Sequence, residues 1–130
     1  MEGSHRQSVG SEVVLVVDDE AAVRAPIARM LKHLGYFVLE GSNGEDALQV
    51  ISDYGGPVHL VISDVRMPEM DGEELANMLR SAFPDMRLLL ISGVGAHAVN
   101  VSRDIEGCRF LAKPFTLDEL AVTVRSLLDS

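Results

Sequence analysis

Four residue pairs, each with at least one polar side chain, stand directly behind short, largely apolar runs. Asp18-Asp19 follow Val13-Val14-Leu15-Val16-Val17, Ser63-Asp64 follow Leu60-Val61-Ile62, Ser92-Gly93 follow Leu88-Leu89-Leu90-Ile91, and Lys113-Pro114 close the segment Cys108-Arg109-Phe110-Leu111-Ala112. If these runs are strands of one parallel sheet, all four pairs fall on one edge, where ligands of open α/β sheets collect at the point of winding reversal. Asp18, Asp19 and Asp64 then converge. Three carboxylates repel one another and would protonate or splay unless a cation joined them. All-oxygen ligands favour a hard ion, so Mg2+ is expected, with Mn2+ as an alternative. A divalent ion and Lys113 together neutralise the three acids and leave room for an incoming anion. Lys113 offers a point charge to a phosphoryl oxygen and Ser92 a hydroxyl donor. Such a set suits phosphoryl transfer, where catalysis is mainly positioning and electrostatic stabilisation. Asp64, alone at its strand end, is the expected nucleophile and phosphoacceptor. The vicinal Asp18 and Asp19 read as metal holders, although Asp19 could instead cap a helix.

The elements that must position these residues follow from hydropathy. From residue 12 onward, short apolar runs alternate with longer stretches of helical period, the pattern of βα units wound on a parallel sheet. The three continuously apolar runs suit central strands covered on both faces. Tyr36-Phe37-Val38-Leu39-Glu40 and Cys108-Arg109-Phe110-Leu111 are more mixed and suit the edges. The predicted fold is α/β, a flavodoxin-like doubly wound (βα)5 sandwich with strand order 2-1-3-4-5. Helix starts are marked by Ser42 with Glu45, Asp71 with Glu74, and Thr116 with Glu119, each spaced as a capping box. Apolar stripes are expected at Val23, Ile27, Met30, Leu31 and Leu34; at Leu75, Met78, Leu79 and Phe83; and at Leu117, Leu120, Val124, Leu127 and Leu128. Pro26 lies inside the first helix without the amide the ladder needs, and predicts a local bend. The stretch Ala96 to Asp104 has poor helix propensity and should be short or mobile.

The totals narrow the function classes. One hundred and thirty residues, 47% of them hydrophobic, suffice for one compact domain. Residues 1–11 are polar and aperiodic, a disordered tail or linker remnant, and the domain is expected over 12–130. Eleven basic residues against twenty acidic ones give a net charge of −9, and the basic residues are scattered, which argues against direct nucleic-acid binding. The single cysteine, Cys108, rules out an internal disulfide, suits a reducing cytoplasm, and reads as a small buried apolar residue. His33 and His97 have no second ligand at helical spacing and read as surface residues. No apolar run approaches the roughly 20 residues needed to cross a bilayer, so no membrane insertion is expected.

The pieces Leu15-Val16-Val17-Asp18-Asp19-Glu20, Ser63-Asp64-Val65-Arg66-Met67-Pro68-Glu69-Met70-Asp71-Gly72, Ile91-Ser92-Gly93 and Phe110-Leu111-Ala112-Lys113-Pro114-Phe115 occur in this order. Together they closely resemble the receiver domains of bacterial response regulators and hybrid sensor kinases, over roughly residues 12 to 129. The resemblance implies a CheY-like fold and phosphorylation of Asp64 by a histidine kinase or a histidine phosphotransfer domain. It implies direct Mg2+ ligation by Asp19, Asp64 and the Arg66 backbone carbonyl, and a water-mediated contact from Asp18. Ser92 and Lys113 would contact the phosphoryl group. Phe110 would be the aromatic switch residue coupled to Ser92, and the Lys113-Pro114 bond would be cis. The family's histidine phosphotransfer partner commonly docks on the first helix, the one that Pro26 interrupts. The Ser92-Gly93 pair and the ending Phe115-Thr116-Leu117-Asp118-Glu119-Leu120 resemble receivers at the C-terminus of hybrid kinases, and a stand-alone regulator is the other setting. The expected partner is thus a kinase or phosphotransfer domain, the expected state a monomer or weak dimer, and the only activity of the domain itself self-phosphorylation and autodephosphorylation. Two other functions share the acidic pocket: a Mg2+-dependent phosphohydrolase working through an aspartyl phosphate, and a degenerate receiver acting as a scaffold. A flavodoxin-like nucleotide binder would need a glycine-rich phosphate loop after the first strand, and none is present.

Overall fold

The structure is a computed structural model that describes residues 12–65, 72–93 and 108–129, with only the backbone at 72 and 73. Its strands are β1 (Val13–Val17), β2 (Phe37–Gly41), β3 (Leu60–Asp64), β4 (Arg87–Ser92) and β5 (Cys108–Ala112). Its described helices are α1 (Ala21–His33), α2 (Gly44–Tyr54), α3 (Gly72–Ala82) and α4 (Leu117–Leu128). All neighbouring strands run parallel in the order β2-β1-β3-β4-β5, as the alternation of apolar and helical segments requires. The helical stretch expected over 96–104 lies outside the described residues.

Side-chain alternation along β1 sorts the core into two layers. Val13, Leu15 and Val17 face Ala47 and Ile51 of α2 and Leu75, Ala76 and Leu79 of α3. Val14 and Val16 face Ile27 and Leu31 of α1 and Leu120, Val124 and Leu127 of α4. Because both faces are covered, β1 is buried along its whole length, and each such aliphatic side chain contributes about 2 kcal/mol on leaving water. The mixed β2 is the edge its sequence predicts, with Phe37 and Glu40 exposed.

Local chemistry sets the helix ends, with two departures from the sequence expectations. Thr116 and Glu119 form the full capping box of α4. At α2 the cap is Asn43, whose side chain accepts from the Asp46 amide, and not Ser42 paired with Glu45. Ser42 instead donates to the Asp46 carboxylate through its amide and its hydroxyl. Asp71 lies outside the described residues. The α3 stripe is narrower than the spacing suggests: Leu75 and Leu79 are buried, while Met78 and Phe83 are exposed because the sheet reaches only one side of this helix. α1 runs unbroken from Ala21 to His33 through Pro26. Cys108 is half-buried at the start of β5, and burial pushes its thiol up to about 11, Arg80 opposing.

Candidate functional site

The C-terminal ends of the strands carry the polar residues. Register places Val17 beside both Gly41 and Ser63, Asp64 beside Ile91, and Ser92 beside Ala112. Strand pairing therefore brings together residues that lie far apart in the chain. Two further backbone bonds extend the ladder at this edge, from the Val65 amide to the Ile91 carbonyl and from the Lys113 amide to the Ser92 carbonyl. The second anchors Lys113 next to Ser92, and the Lys113-Pro114 bond that follows is cis.

Within this edge, Lys113 Nζ lies 3.5 Å from Asp64 Oδ2, both side chains largely but not wholly shielded. Among the described residues Asp18 is the most deeply placed acid, with only 4% of its surface exposed. Burial raises its carboxyl above the ordinary range; the Glu20 amide donating to Oδ1 opposes this, the Asp64 charge adds to the rise, Lys113 counters it, and Asp19 adds again. Asp18 and Asp64 thus sense one another, with Lys113 between the two effects. Asp19 is exposed on the turn that enters α1, and it does not cap that helix: Glu20 occupies the cap position without a side-chain bond. Ser92 is 8% exposed and its hydroxyl donates to the Gly93 carbonyl across 3.3 Å, a long bond that a better acceptor can displace. Phe110 is half-buried opposite Leu90 on β4. Arg66, whose carbonyl was expected to join the metal ligands, lies outside the described residues.

The donor chemistry suits a hard cation, being all carboxylate oxygen around an acid whose charge burial disfavours. Among the described residues, no three His, Cys, Asp or Glu side chains close around one point as a finished metal cage. A few carboxylates, completed by water and other oxygens, is how Mg2+ is ordinarily held.

Two contacts at this edge were missed in the sequence. Ser63, a polar residue 2% exposed at the end of an apolar strand, donates its hydroxyl to the Asp64 carbonyl. Its polarity in a buried run was a readable signal. Arg24 of α1 donates from Nη1 to the Asp18 carbonyl at 2.7 Å and from Nε to Glu40 at 2.9 Å. Nothing in linear spacing announces that pair, since it depends on α1 packing across β2.

The sequence matches the family described as response regulator receiver domain over residues 14–125. The chain belongs to this family. As a receiver domain it is 44% identical over 122 residues to the sensor kinase CckA of Brucella abortus, covering 92% of this chain and 13% of that protein. It is 32% identical over 116 residues to the response regulator receiver protein CpdR of the same organism, covering 88% of this chain and 95% of that protein. Among solved structures, the response regulator TrrA of Thermotoga maritima in complex with Mg2+ and BeF matches with a TM-score of 0.75 and 31% identity, covering 89% of this chain and 98% of that one. The receiver fold therefore stands on sequence and structure alike. No helix among the described residues is long and apolar enough to cross a membrane.

Proposed function

We propose that this receiver domain accepts a phosphoryl group on Asp64 from a phosphohistidine of a histidine kinase or phosphotransfer domain, with Mg2+ as cofactor, in the cytoplasm. The observation that carries the reading is the Asp64 carboxylate at the end of β3, 3.5 Å from the Lys113 ammonium and electrostatically linked to the buried Asp18. A carboxylate oxygen of Asp64 attacks phosphorus in line as the bond to the donor imidazole breaks. Lys113 turns from Asp64 toward the phosphoryl oxygens as negative charge moves onto them. Ser92 exchanges its long bond to the Gly93 carbonyl for a phosphoryl oxygen, and Phe110 on the adjoining strand senses that move by packing. Asp18, Asp19, Asp64 and the Arg66 carbonyl would hold the ion. Mg2+, when bound, supplies charge neutralisation to the acids and to the entering phosphoryl group. The likeness to TrrA, which was solved in complex with Mg2+ and BeF, supports this assignment. Likeness to CckA supports a place in a hybrid-kinase phosphorelay, and likeness to CpdR supports a response regulator as the other setting.

The test is intact-mass analysis after incubation with acetyl phosphate and Mg2+, and with a phosphorylated histidine kinase. One phosphoryl group is expected on the wild type, none on Asp64→Asn and none when the ion is chelated. A wild type that takes no group from either donor would sink the reading.

A further inference from the structure

The acidic turn after β1 must hold its place although the strand ladder stops short of it. Paired register ends with Val17 opposite Gly41 and Ser63, so Asp18 relies on other partners. Its amide donates to the Gly41 carbonyl at 3.1 Å, and its carboxylate accepts from the Glu20 amide at 2.9 Å. Its carbonyl is taken by Arg24 Nη1 at 2.7 Å. That bond is short and charge-assisted, about twice as strong as a neutral one. Arg24 is in turn fixed by Glu40, Nε to Oε1 at 2.9 Å, with the arginine side chain only 18% exposed. Glu40 of β2 pairs in register with Val16 of β1, so the arginine is braced against the strand beside the one it serves. An ordinary exposed ion pair would place its guanidinium in water and touch no backbone.

We propose that Arg24 is a positioning residue for the phosphoryl-accepting site, holding the Asp18-Asp19 turn through the Asp18 carbonyl while Glu40 holds Arg24. The inference rests on the phosphoacceptor reading of Asp64 given above. Arg24 acts through geometry more than through charge. Its guanidinium donates to the Asp18 backbone carbonyl and not to the carboxylate, and its positive charge is met by Glu40. Removing Arg24 frees the Asp18 carbonyl and the turn carrying both acids, and the cost falls on ion binding before it falls on chemistry. Loss of an outer partner of a metal-ligating group typically weakens metal affinity about 10- to 100-fold.

Two measurements on the whole chain test this. In the first, Mg2+ is titrated while backbone amide shifts are followed without any phosphodonor, and the Mg2+ dependence of acetyl-phosphate labelling is measured separately. Arg24→Met is expected to raise the half-saturating Mg2+ about tenfold and to move the Asp19 and Glu20 amides even without the ion, with the labelling rate at saturating Mg2+ held within about twofold. Arg24→Lys, which keeps a donor and the smallest change in packing, recovers part of the affinity. The second is the exchange Arg24→Glu with Glu40→Arg, which restores an ion pair but puts no donor beside the Asp18 carbonyl; affinity is expected to stay low. Wild-type Mg2+ affinity and wild-type Asp19 and Glu20 shifts in Arg24→Met would overturn the proposal, as would full recovery in the exchange. Should Arg24→Met fail to fold, Arg24→Lys and the exchange decide the matter by the same readouts. A wild type that binds Mg2+ but is never phosphorylated refutes the phosphoacceptor reading, while the metal-free amide shifts still judge Arg24.

Discussion

The two edges of the sheet solve opposite problems with similar residues. At the edge where the strands begin, the acids are matched by direct bonds to one shared cation. Arg125 of α4 donates to Glu12 and to Asp129 at 2.9 Å each and to the Tyr36 hydroxyl at 3.3 Å. These bonds hold the arginine above even its usual range, the Glu12 bond first and the Asp129 bond second. His59 accepts the Val13 amide on Nδ1, and its own amide donates to the Val13 carbonyl. At the edge where the strands end, the acids outnumber their cation: Asp18 is buried beside Asp64 and Asp19, with Lys113 set against them. One edge is closed by complementary charge and the other is left in tension that an incoming ligand can relieve. The proposed phosphoryl-accepting chemistry belongs to the second, in keeping with the rule that open α/β sheets bind at the carboxyl ends of their strands.

The largest effect that would break this contrast lies at the matched edge. Arg125→Met should cost about 2 kcal/mol in urea unfolding, because it leaves Glu12 shielded without its cation while Arg125 is itself partly open to water. Glu12 Oε1 already lacks a partner, so the carboxylate has little to fall back on. Converting Glu12→Gln in the same chain should return part of the loss, since a neutral amide costs less to leave unpaired. Acetyl-phosphate labelling of Asp64 should be unchanged in both. A labelling rate that fell in step with stability would mean that the two edges are coupled and the contrast is false.

The same contrast explains what was legible in the sequence. The strand order could be read because three runs are apolar on both faces, and the gathering of Asp64, Ser92 and Lys113 at one end of the sheet could be read because strand order fixes which chain ends are neighbours. Thr116 with Glu119 was equally plain, since a capping box is local. Arg24, Arg125 and His59 were not, because their partners lie 16, 113 and 46 positions away and meet through helix packing and strand pairing that no spacing encodes. Asn43 and Ser42 are both good caps, and a shift of one residue that spacing does not fix decides between them. Met78 and Phe83 fall on a stripe that periodicity draws wider than the contact α3 makes.

A smaller effect at the matched edge comes from His59. His59→Ala leaves the Val13 amide without an acceptor in a residue that is 5% exposed, and should cost about 1 kcal/mol. His59→Asn, which can present an acceptor to the same amide, should cost less. Equal losses in the two variants, read from denaturation midpoints, would show that packing and not the hydrogen bond gives this residue its value.

The smallest effect should have the opposite sign, and it lies at the tense edge. The folded state raises the Asp18 carboxyl above its unfolded value, so its negative charge opposes folding. That penalty is absent below the unfolded value and fully present once the pH exceeds the folded one. Asp18→Asn keeps an oxygen for the Glu20 amide and removes the charge, so without divalent ions at neutral pH it should stabilise the fold by about 0.5 kcal/mol. The gain should shrink as the pH is lowered through the raised folded value of Asp18 and vanish below the unfolded one, where the carboxyl is protonated in both states, and it should reverse in sign when Mg2+ is added, because only the wild type gains from binding. A variant less stable than the wild type in the absence of the ion would show that the acids are not in tension, and the distinction between the two edges would lose its physical basis.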